Sequence, residues 1–445
     1  MSMDRRSFLK SSGATLALAG LAACAGREQE KAAAAPAELS MDGPMLQHYP
    51  GIGVLGYGCM RWPMTKNDKG EEVIDQEMVN SLVDEALEHG VNYFDTSPVY
   101  LKGDSERATA EALNRHPREE WLLATKLSNF SDASYDNSVK MYRRSLEIFK
   151  TDHIDYYLLH SIGSAEDFKR RFEDTGIMDF LLKEREKGRI RHLGFSIHSH
   201  KEGFDSMMEL HPKYHWDFVQ IQMNYLDWTH AGGRNTNADH MYEELAARDI
   251  PVVIMEPLRG GALASLTQNP TAQLKAREPD RSVASWAFRF VGSFPKVLTA
   301  LSGMTYREHL EDNLKTFCNF KPLNEEEFAL LEQIADEQSR FPLVGCTGCQ
   351  YCMPCPYGIN IPGVFRFYDK SVVEGTFVKG PEQEHYARAR RRYLLEYDKA
   401  VESARQADHC ISCGKCTSSC PQHIRIPREL KRIDDYIESV RQGLL

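Results

Sequence analysis

Eight short apolar runs, each followed by a stretch of helical periodicity, constrain the fold of this 445-residue chain more than any other feature. Parallel strands joined by crossover helices produce this alternation. Helical stretches such as 76–89 and 239–248 place their apolar residues on one face. Eight such repeats predict a (β/α)8 barrel, whose chemistry lies where the strands end. The runs are 52–58, 93–96, 121–127, 154–160, 192–197, 218–224, 252–258 and 297–302.

Eight of the eleven cysteines lie in two groups near the C-terminus, and each group is followed by a proline. Eight thiolates are the ligand count of two [4Fe–4S] clusters. The second group has the spacing C-x2-C-x2-C-x3-C-P, in which three cysteines bind one cluster and the fourth binds the other. Crossed ligation then places Cys420 with the first three cysteines and Cys355 with the last group. The two groups are Cys346, Cys349, Cys352 and Cys355, and Cys410, Cys413, Cys416 and Cys420.

Other uses of the cysteines and histidines fit the pattern less well. A structural zinc site pairs two C-x2-C knuckles and has no use for another cysteine three residues further on. Disulfides are disfavoured because cysteines two residues apart rarely reach bridging geometry. His192, His198 and His200 are close in sequence, but they show no clean metal-binding geometry. Cys59 and Cys318, in the barrel region, are expected to be buried apolar residues.

The first residues predict an export signal. Residues 4–10, Asp-Arg-Arg-Ser-Phe-Leu-Lys, resemble a twin-arginine signal, a route that carries folded proteins. Residues 21–24, Leu-Ala-Ala-Cys, resemble a lipobox, which would place a lipidated Cys24 at the membrane surface; ordinary signal cleavage and an incidental cysteine are the alternatives. We therefore expect a periplasmic protein, or one anchored on the outer face of the membrane.

Composition and spacing divide the chain into five parts. We predict a signal at 1–24, a polar linker at 25–45, the barrel at 46–320, a connecting helix at 321–342 capped by Asn324, and a helical cluster domain at 343–445. The formal net charge is −10, so nucleic acid is not an expected partner. Beyond the signal, no run is long and apolar enough to span a bilayer.

Ionisable residues stand at the ends of three consecutive predicted strands, and we expect them to converge on one mouth of the barrel. Here the chain resembles the aldo-keto reductases, whose catalytic tetrad matches Asp95, Tyr100, Lys126 and His160 in order and context. Residues 193–196 (Leu-Gly-Phe-Ser), 219–222 (Val-Gln-Ile-Gln) and 255–258 (Met-Glu-Pro-Leu) extend the resemblance over the barrel. Tyr100 would exchange a proton with the substrate oxygen, and Lys126, held by Asp95, would favour the phenolate. His160 would orient the carbonyl.

The resemblance also implies a nicotinamide site. In the resembled family, a serine and a glutamine bind the carboxamide of the nicotinamide. The residues that match positions 302, 303 and 313 lie at the phosphate and adenosine end of the cofactor. Met255 replaces the aromatic residue that stacks on the nicotinamide, and Ile197 replaces an asparagine. His309 stands where the family often has an arginine, so NAD and NADP both stay open. The implied contacts are Ser196, Gln220, Leu258, Ser302, Gly303 and Asn313.

The motif at 346–358, Cys-x-x-Cys-x-x-Cys-Met-Pro-Cys-Pro-Tyr-Gly, resembles that of a bacterial subfamily in which such a barrel carries a C-terminal dicluster ferredoxin-type domain. This implies an oxidoreductase that reduces a carbonyl or oxidises an alcohol, with electrons relayed through two clusters. Its partners would be a small-molecule substrate and a redox protein or membrane electron carrier. The alternative is an electron-transfer or docking protein whose barrel no longer binds nicotinamide. The complete tetrad favours the enzyme, whereas Met255 and Ile197 favour the alternative.

Overall fold

The computed structural model describes residues 40–232, 235–340 and 342–445. The predicted export signal, the lipobox and most of the linker lie outside these residues. Within them, eight parallel strands form one closed barrel, and an antiparallel hairpin, β2–β3, follows the first strand. The strands are β1 (Leu55–Gly58), β2 (Met64–Lys66), β3 (Glu72–Ile74), β4 (Tyr93–Asp95), β5 (Leu122–Leu127), β6 (Ile154–Ile162), β7 (Ile190–Ile197), β8 (Phe218–Gln222), β9 (Val252–Met255) and β10 (Val297–Ser302).

The predicted barrel is confirmed, and each of the eight apolar runs overlaps one barrel strand. Strand β1 pairs with both β4 and β10, which closes the sheet on itself. Since all neighbouring strands are parallel, their carboxyl ends share one rim. The side chains at the carboxyl ends of β4, β5 and β6 therefore meet at that rim.

Helices surround the barrel and pack apolar side chains against its core. The first helix, for example, buries Val79, Leu82 and Val83, and Asp75 caps it by accepting from the Met78 amide at 3.1 Å. The helices of this layer are α1 (Gln76–Glu88), α2 (Ser105–Leu113), α3 (Tyr135–Phe149), α4 (Ala165–Phe168), α5 (Ile177–Glu186), α6 (Lys201–Met208), α7 (His211–Tyr214), α8 (Asp227–His230), α9 (Ala238–Ala247), α10 (Gln268–Arg277), α11 (Val283–Gly292) and α12 (Arg307–Phe317).

The next helix, α13 (Glu325–Ser339), begins where the sequence predicted it. Asn324 accepts from the Glu327 amide at 2.9 Å, and the Glu327 carboxylate accepts from the Asn324 amide at 3.0 Å. This capping box stabilises the helix by about 1 kcal/mol. We expected a connector between domains. The helix instead buries Leu331 and Ile334 in the barrel core, so it belongs to the barrel body.

The C-terminal region is helical, as predicted, and has a core of its own. Helices α14 (Ile361–Val373), α15 (Tyr386–Ala400) and α16 (Ile426–Gln442) pack around buried residues such as Phe365 and Ile433. The segments that carry the cysteines are irregular and pack against the edge of this core. No helix among the described residues has the length and hydropathy needed to cross a membrane.

Candidate active site and cluster ligands

Asp95 and Lys126 form a buried ion pair at the rim of the barrel. Asp95 ends β4 and is paired in register with Ala124 of β5, which brings Lys126 close. The Lys126 ammonium lies 2.5 Å from Asp95 Oδ1 and also donates to the Thr96 carbonyl at 2.8 Å. Burial raises the pKa of Asp95 and lowers that of Lys126, and the opposite charge of each partner resists the shift. Removing one partner alone would leave an uncompensated buried charge, a change that costs about 3–5 kcal/mol.

Tyr100 lies in a short helical turn directly after β4. The next two residues, Leu101 and Lys102, adopt left-handed backbone conformations, with φ of 50° and 60°. Such conformations cost about 1 kcal/mol or more each, and they persist where the surrounding structure requires them. The Lys126 ammonium lies over the tyrosine ring, 4.8 Å from its centroid.

Burial decides the protonation state of Tyr100. It raises the pKa of the phenol well above its usual value, and the nearby Tyr351 and Asp95 add to the increase. We expected Lys126 to favour the phenolate. In the structure the Lys126 ammonium lies over the tyrosine ring and forms its ion pair with Asp95, so Tyr100 remains a protonated donor.

His160 completes the tetrad from β6. Its Nδ1 lies 2.6 Å from the Ser128 hydroxyl and 3.3 Å from that of Ser97. Burial, assisted by Lys126 and Arg171, lowers the pKa of His160 well below 6.5, so the imidazole is neutral. In the tautomer in which Ser128 donates to Nδ1, Nε2 carries the proton and points into the site.

Tyr351 is the site residue that sequence reasoning missed. It belongs to the cysteine motif, yet its hydroxyl lies 3.5 Å from His160 Nε2 and close enough to Tyr100 to raise the pKa of that phenol. The four residues of the predicted tetrad therefore lie together at the rim, and Tyr351 of the other domain lies beside them as a fifth polar group. A tyrosine between two cysteines carries no sequence signal for this position, because the contact joins residues 191 positions apart.

The first cysteine group fits a [4Fe–4S] cluster with crossed ligation. One cavity is lined by Cys346, Cys349, Cys352 and Cys420, together with apolar side chains including Phe365. Burial raises the pKa of Cys346 to about 11 and that of Cys349 to about 12. Backbone N–H groups near the sulfurs oppose this shift; the Gly348 amide, for example, lies 3.4 Å from Cys346 Sγ. Iron binding would deprotonate these thiols, and such N–H donors stabilise cluster sulfur.

The second group shows the complementary arrangement. Cys416 lies near both Cys410 and Cys355, whose thiols add to the burial that raises its pKa. Cys413 is exposed, and the neighbouring Ile411 is 60% exposed. Cys355 thus stands with the second group and Cys420 with the first, the grouping that crossed ligation requires. In the described residues, no three His, Cys, Asp or Glu side chains are arranged to hold a single metal ion.

The residues implied in nicotinamide binding meet only in part. Ser196 and Gln220 are register partners on β7 and β8, and Gln220 Oε1 is buried without a hydrogen bond to any described residue, which suits a carboxamide. The phosphate end fits less well. Asn313 donates to the Ser302 hydroxyl at 2.9 Å. Gly303 lies directly under the side chain of Arg61, which would be 2.8 Å from a Cβ at that glycine.

Leu258, the remaining implied contact, is half-buried against the barrel core at the end of the 255–258 motif. Met255, which replaces the stacking aromatic residue, is paired in register with Gln222 at the rim. Ser196 and Gln220 thus suit the amide of a nicotinamide. At the phosphate end of a dinucleotide, the side chain of Arg61 covers Gly303, so the described residues form no open binding site there.

The cluster domain covers this side of the rim. Gln222, at the end of β8, exchanges two hydrogen bonds with Gln422, at 2.8 and 3.3 Å. The backbone of Thr347 lies so close to Gly260 that a Cβ there would be 2.5 Å from the Thr347 oxygen. Arg61 donates to the same carbonyl. The segment that carries the first cysteine group therefore lies directly over the strand ends.

Comparisons with known proteins agree with this architecture. The Aldo/keto reductase family matches residues 54–336, and the 4Fe-4S dicluster domain matches residues 345–425. An uncharacterized oxidoreductase of Bacillus subtilis is 27% identical over 311 residues, which cover 63% of this chain and 92% of that protein.

Solved structures share the fold of the barrel. An aldo-keto reductase from Bacillus halodurans, in its holo form, has a TM-score of 0.51 and 21% identity, over 66% of this chain and 96% of that one. One from Klebsiella pneumoniae, in complex with NADPH, has a TM-score of 0.51 and 20% identity, over 64% and 91%. The closed parallel barrel, the polar residues at its rim and the family match over residues 54–336 lead to one conclusion: the chain belongs to the aldo/keto reductase family, and it carries a C-terminal 4Fe–4S dicluster domain.

Proposed function

We propose that this protein is an exported oxidoreductase that interconverts a small carbonyl compound and its alcohol, with electrons relayed through its two clusters to or from a redox partner. One observation carries the proposal. The loop that supplies Cys346, Cys349 and Cys352 also supplies Tyr351, which contacts His160 and Tyr100. The ligands of one cluster and the catalytic tetrad are thus parts of one site.

The chain's own residues account for the proton that goes to the substrate oxygen. Reduction of a carbonyl to an alcohol adds two electrons and one proton at the carbon and one proton at the oxygen; a nicotinamide held at Ser196 and Gln220 would supply the pair of electrons and the proton at the carbon. Tyr100, kept protonated by burial, is placed to give one proton to the substrate oxygen, and the neutral His160 orients that oxygen through Nε2–H. The Asp95–Lys126 pair keeps the positive charge next to the tyrosine ring. Alcohol oxidation runs through the same groups in reverse.

The order of the redox groups supports a relay. A [4Fe–4S] cluster passes one electron at a time, so two clusters match the two electrons of this reaction. The first cysteine group adjoins the tetrad, whereas the second includes the exposed Cys413. An exposed ligand and the exposed Ile411 give a partner protein or a membrane carrier access to the outer cluster.

Export would explain why such a relay is needed, since a diffusible NADPH pool is a property of the cytoplasm. The proposed address rests on residues 4–10 and on Cys24. Replacing Arg5 and Arg6 with lysine should retain the protein in the cytoplasm, and Cys24→Ala should release it from the membrane fraction. Cell fractionation measures both. Normal export of the double variant would contradict the twin-arginine route.

Anaerobic stopped-flow absorbance tests the relay. Protein with chemically reduced clusters is mixed with a panel of small aldehydes and ketones, without added nicotinamide. We expect the cluster absorbance to return toward the oxidised level with a true substrate. Tyr100→Phe should slow this recovery, whereas Tyr157→Phe, at a buried tyrosine of β6 outside the tetrad, should not. Substrate turnover with unchanged cluster absorbance would contradict the proposed electron relay.

A further inference from the structure

The hydroxyl of Tyr351 occupies the place where the tetrad would hold a substrate oxygen. We propose that Tyr351 is a substrate-site residue that closes the carbonyl pocket, and that substrate binds by displacing its side chain. This inference rests on the proposed function, since it assigns Tyr100 and His160 to the substrate oxygen. It adds a residue of the cluster loop to the determinants of what the barrel accepts.

The contacts of the phenol carry the inference. Its oxygen lies 3.5 Å from His160 Nε2 and close enough to Tyr100 to raise the pKa of that phenol; His160 and Tyr100 are the two groups that would hold a carbonyl oxygen. The two rings, His160 and Tyr351, meet edge to face with centroids 6.4 Å apart. A carbonyl oxygen and the Tyr351 hydroxyl would need the same donors, so they exclude each other.

The loop that carries Tyr351 is held in place, so the side chain is the part that can move. The Thr347 carbonyl accepts from Arg61, and the backbone N–H of Tyr351 lies near the sulfur of Cys349, where it opposes the rise of the thiol pKa. Thr347 is also packed against Gly260. The Tyr351 side chain, by contrast, is only partly buried. Rotation of this ring toward solvent opens the pocket without breaking the contacts of the loop.

Phenol is a direct probe of the pocket. In Tyr351→Ala the missing ring leaves a space with two polar partners, and free phenol should fill it. We expect phenol to bind this variant at least about tenfold more tightly than toluene, which has the ring but no hydroxyl. Adding Tyr100→Phe removes one partner and should weaken phenol binding by about tenfold. Calorimetry on protein with both clusters intact measures each affinity.

Two controls make the result decisive. Wild-type protein should bind phenol far more weakly than Tyr351→Ala, because its own phenol fills the pocket. Tyr357→Ala, at a tyrosine that also lies in the cysteine motif but is 47% exposed, should behave as wild type. Equal binding of phenol and toluene, or equal binding of phenol to wild type and Tyr351→Ala, would overturn the proposal.

A second variant covers the case in which Tyr351→Ala loses its clusters. Tyr351→Phe keeps the ring and removes only the competing hydroxyl. We expect KM for the substrate of the stopped-flow experiment to fall by about tenfold with little change in kcat, and an unchanged KM would contradict displacement. Phenol binding requires no turnover, so the two experiments fail independently. If phenol does not bind Tyr351→Ala, the proposed electron relay is unaffected. If the stopped-flow experiment shows no relay, the phenol affinities can still be interpreted.

Discussion

The barrel presents its site residues on paired strands, whereas the cluster domain presents Tyr351 on an irregular segment between two cysteines. Asp95, Lys126 and His160 stand on neighbouring strands whose register is set by backbone hydrogen bonds. Tyr351 lies between Cys349 and Cys352, with no strand or helix around it. One half of the site is thus positioned by strand pairing, and the other half by a segment that a bound cluster would hold together with its contacts to the barrel.

This difference has an energetic consequence. The barrel core is continuous, with large side chains such as Trp62 and Trp286 almost fully buried. The core of the cluster domain is smaller, and its cysteine segments pack only at the edge. Where metal binding organises a segment that lacks its own core, binding free energy becomes folding free energy. The two regions should therefore respond differently to loss of iron.

Removal of the iron should produce the largest effect. We expect a chelator under anaerobic conditions to unfold the segments around 343–360 and 401–425, because the clusters would be the main crosslinks between the two cysteine groups, while the barrel up to residue 340 stays folded. Limited proteolysis with mass spectrometry locates the cleaved segments, and holoprotein treated identically is the control. Equal resistance of apo- and holoprotein would remove the distinction between the two regions.

Replacement of single cysteines sharpens the same comparison. Cys420→Ser should lose the cluster of Cys346, Cys349 and Cys352, so that iron falls from about eight to about four atoms per chain. Cys318→Ser, at a buried cysteine of the barrel, should keep all of its iron. Loss of the other cluster in Cys420→Ser, seen in the electron paramagnetic resonance spectra, would argue against crossed ligation.

The barrel half is tested at Tyr100. Tyr100→Phe keeps the ring and removes the transferable proton, so kcat should fall by about 10²-fold or more with an unchanged melting temperature. Steady-state kinetics and thermal unfolding give the two readings, and Tyr157→Phe serves as the matched control. Full activity in Tyr100→Phe would exclude the tyrosine from the proton chemistry.

The smallest effect is expected where the two regions touch. Gln222 and Gln422 exchange two buried hydrogen bonds between neutral groups. A double-mutant cycle with alanine at each position should give a coupling free energy of about 1 kcal/mol in the denaturant unfolding of the cluster domain. Additive effects of the two substitutions would show that this contact does not hold the domain on the barrel.

Sequence patterns were reliable where the structure is local or repetitive. Alternation of apolar runs and amphipathic stretches predicted the eight strands, because period and length alone distinguish a buried strand from a surface helix. The capping box of α13 was readable at Asn324, since its partners are three residues apart. Cysteine spacing predicted which thiolates gather, because ligand geometry restricts the separations along the chain.

The sequence by itself thus determined the barrel, the helical cluster domain and the residue types at the rim. Only the tertiary structure decided how the two domains meet, that Arg61 covers Gly303, and that Tyr351 enters the tetrad. It also decided the burial of Tyr100, which raises the pKa of its phenol well above the usual value. The physical reason is common to all four: docking contacts and desolvation depend on atoms far apart in the chain, and no local period or spacing encodes them.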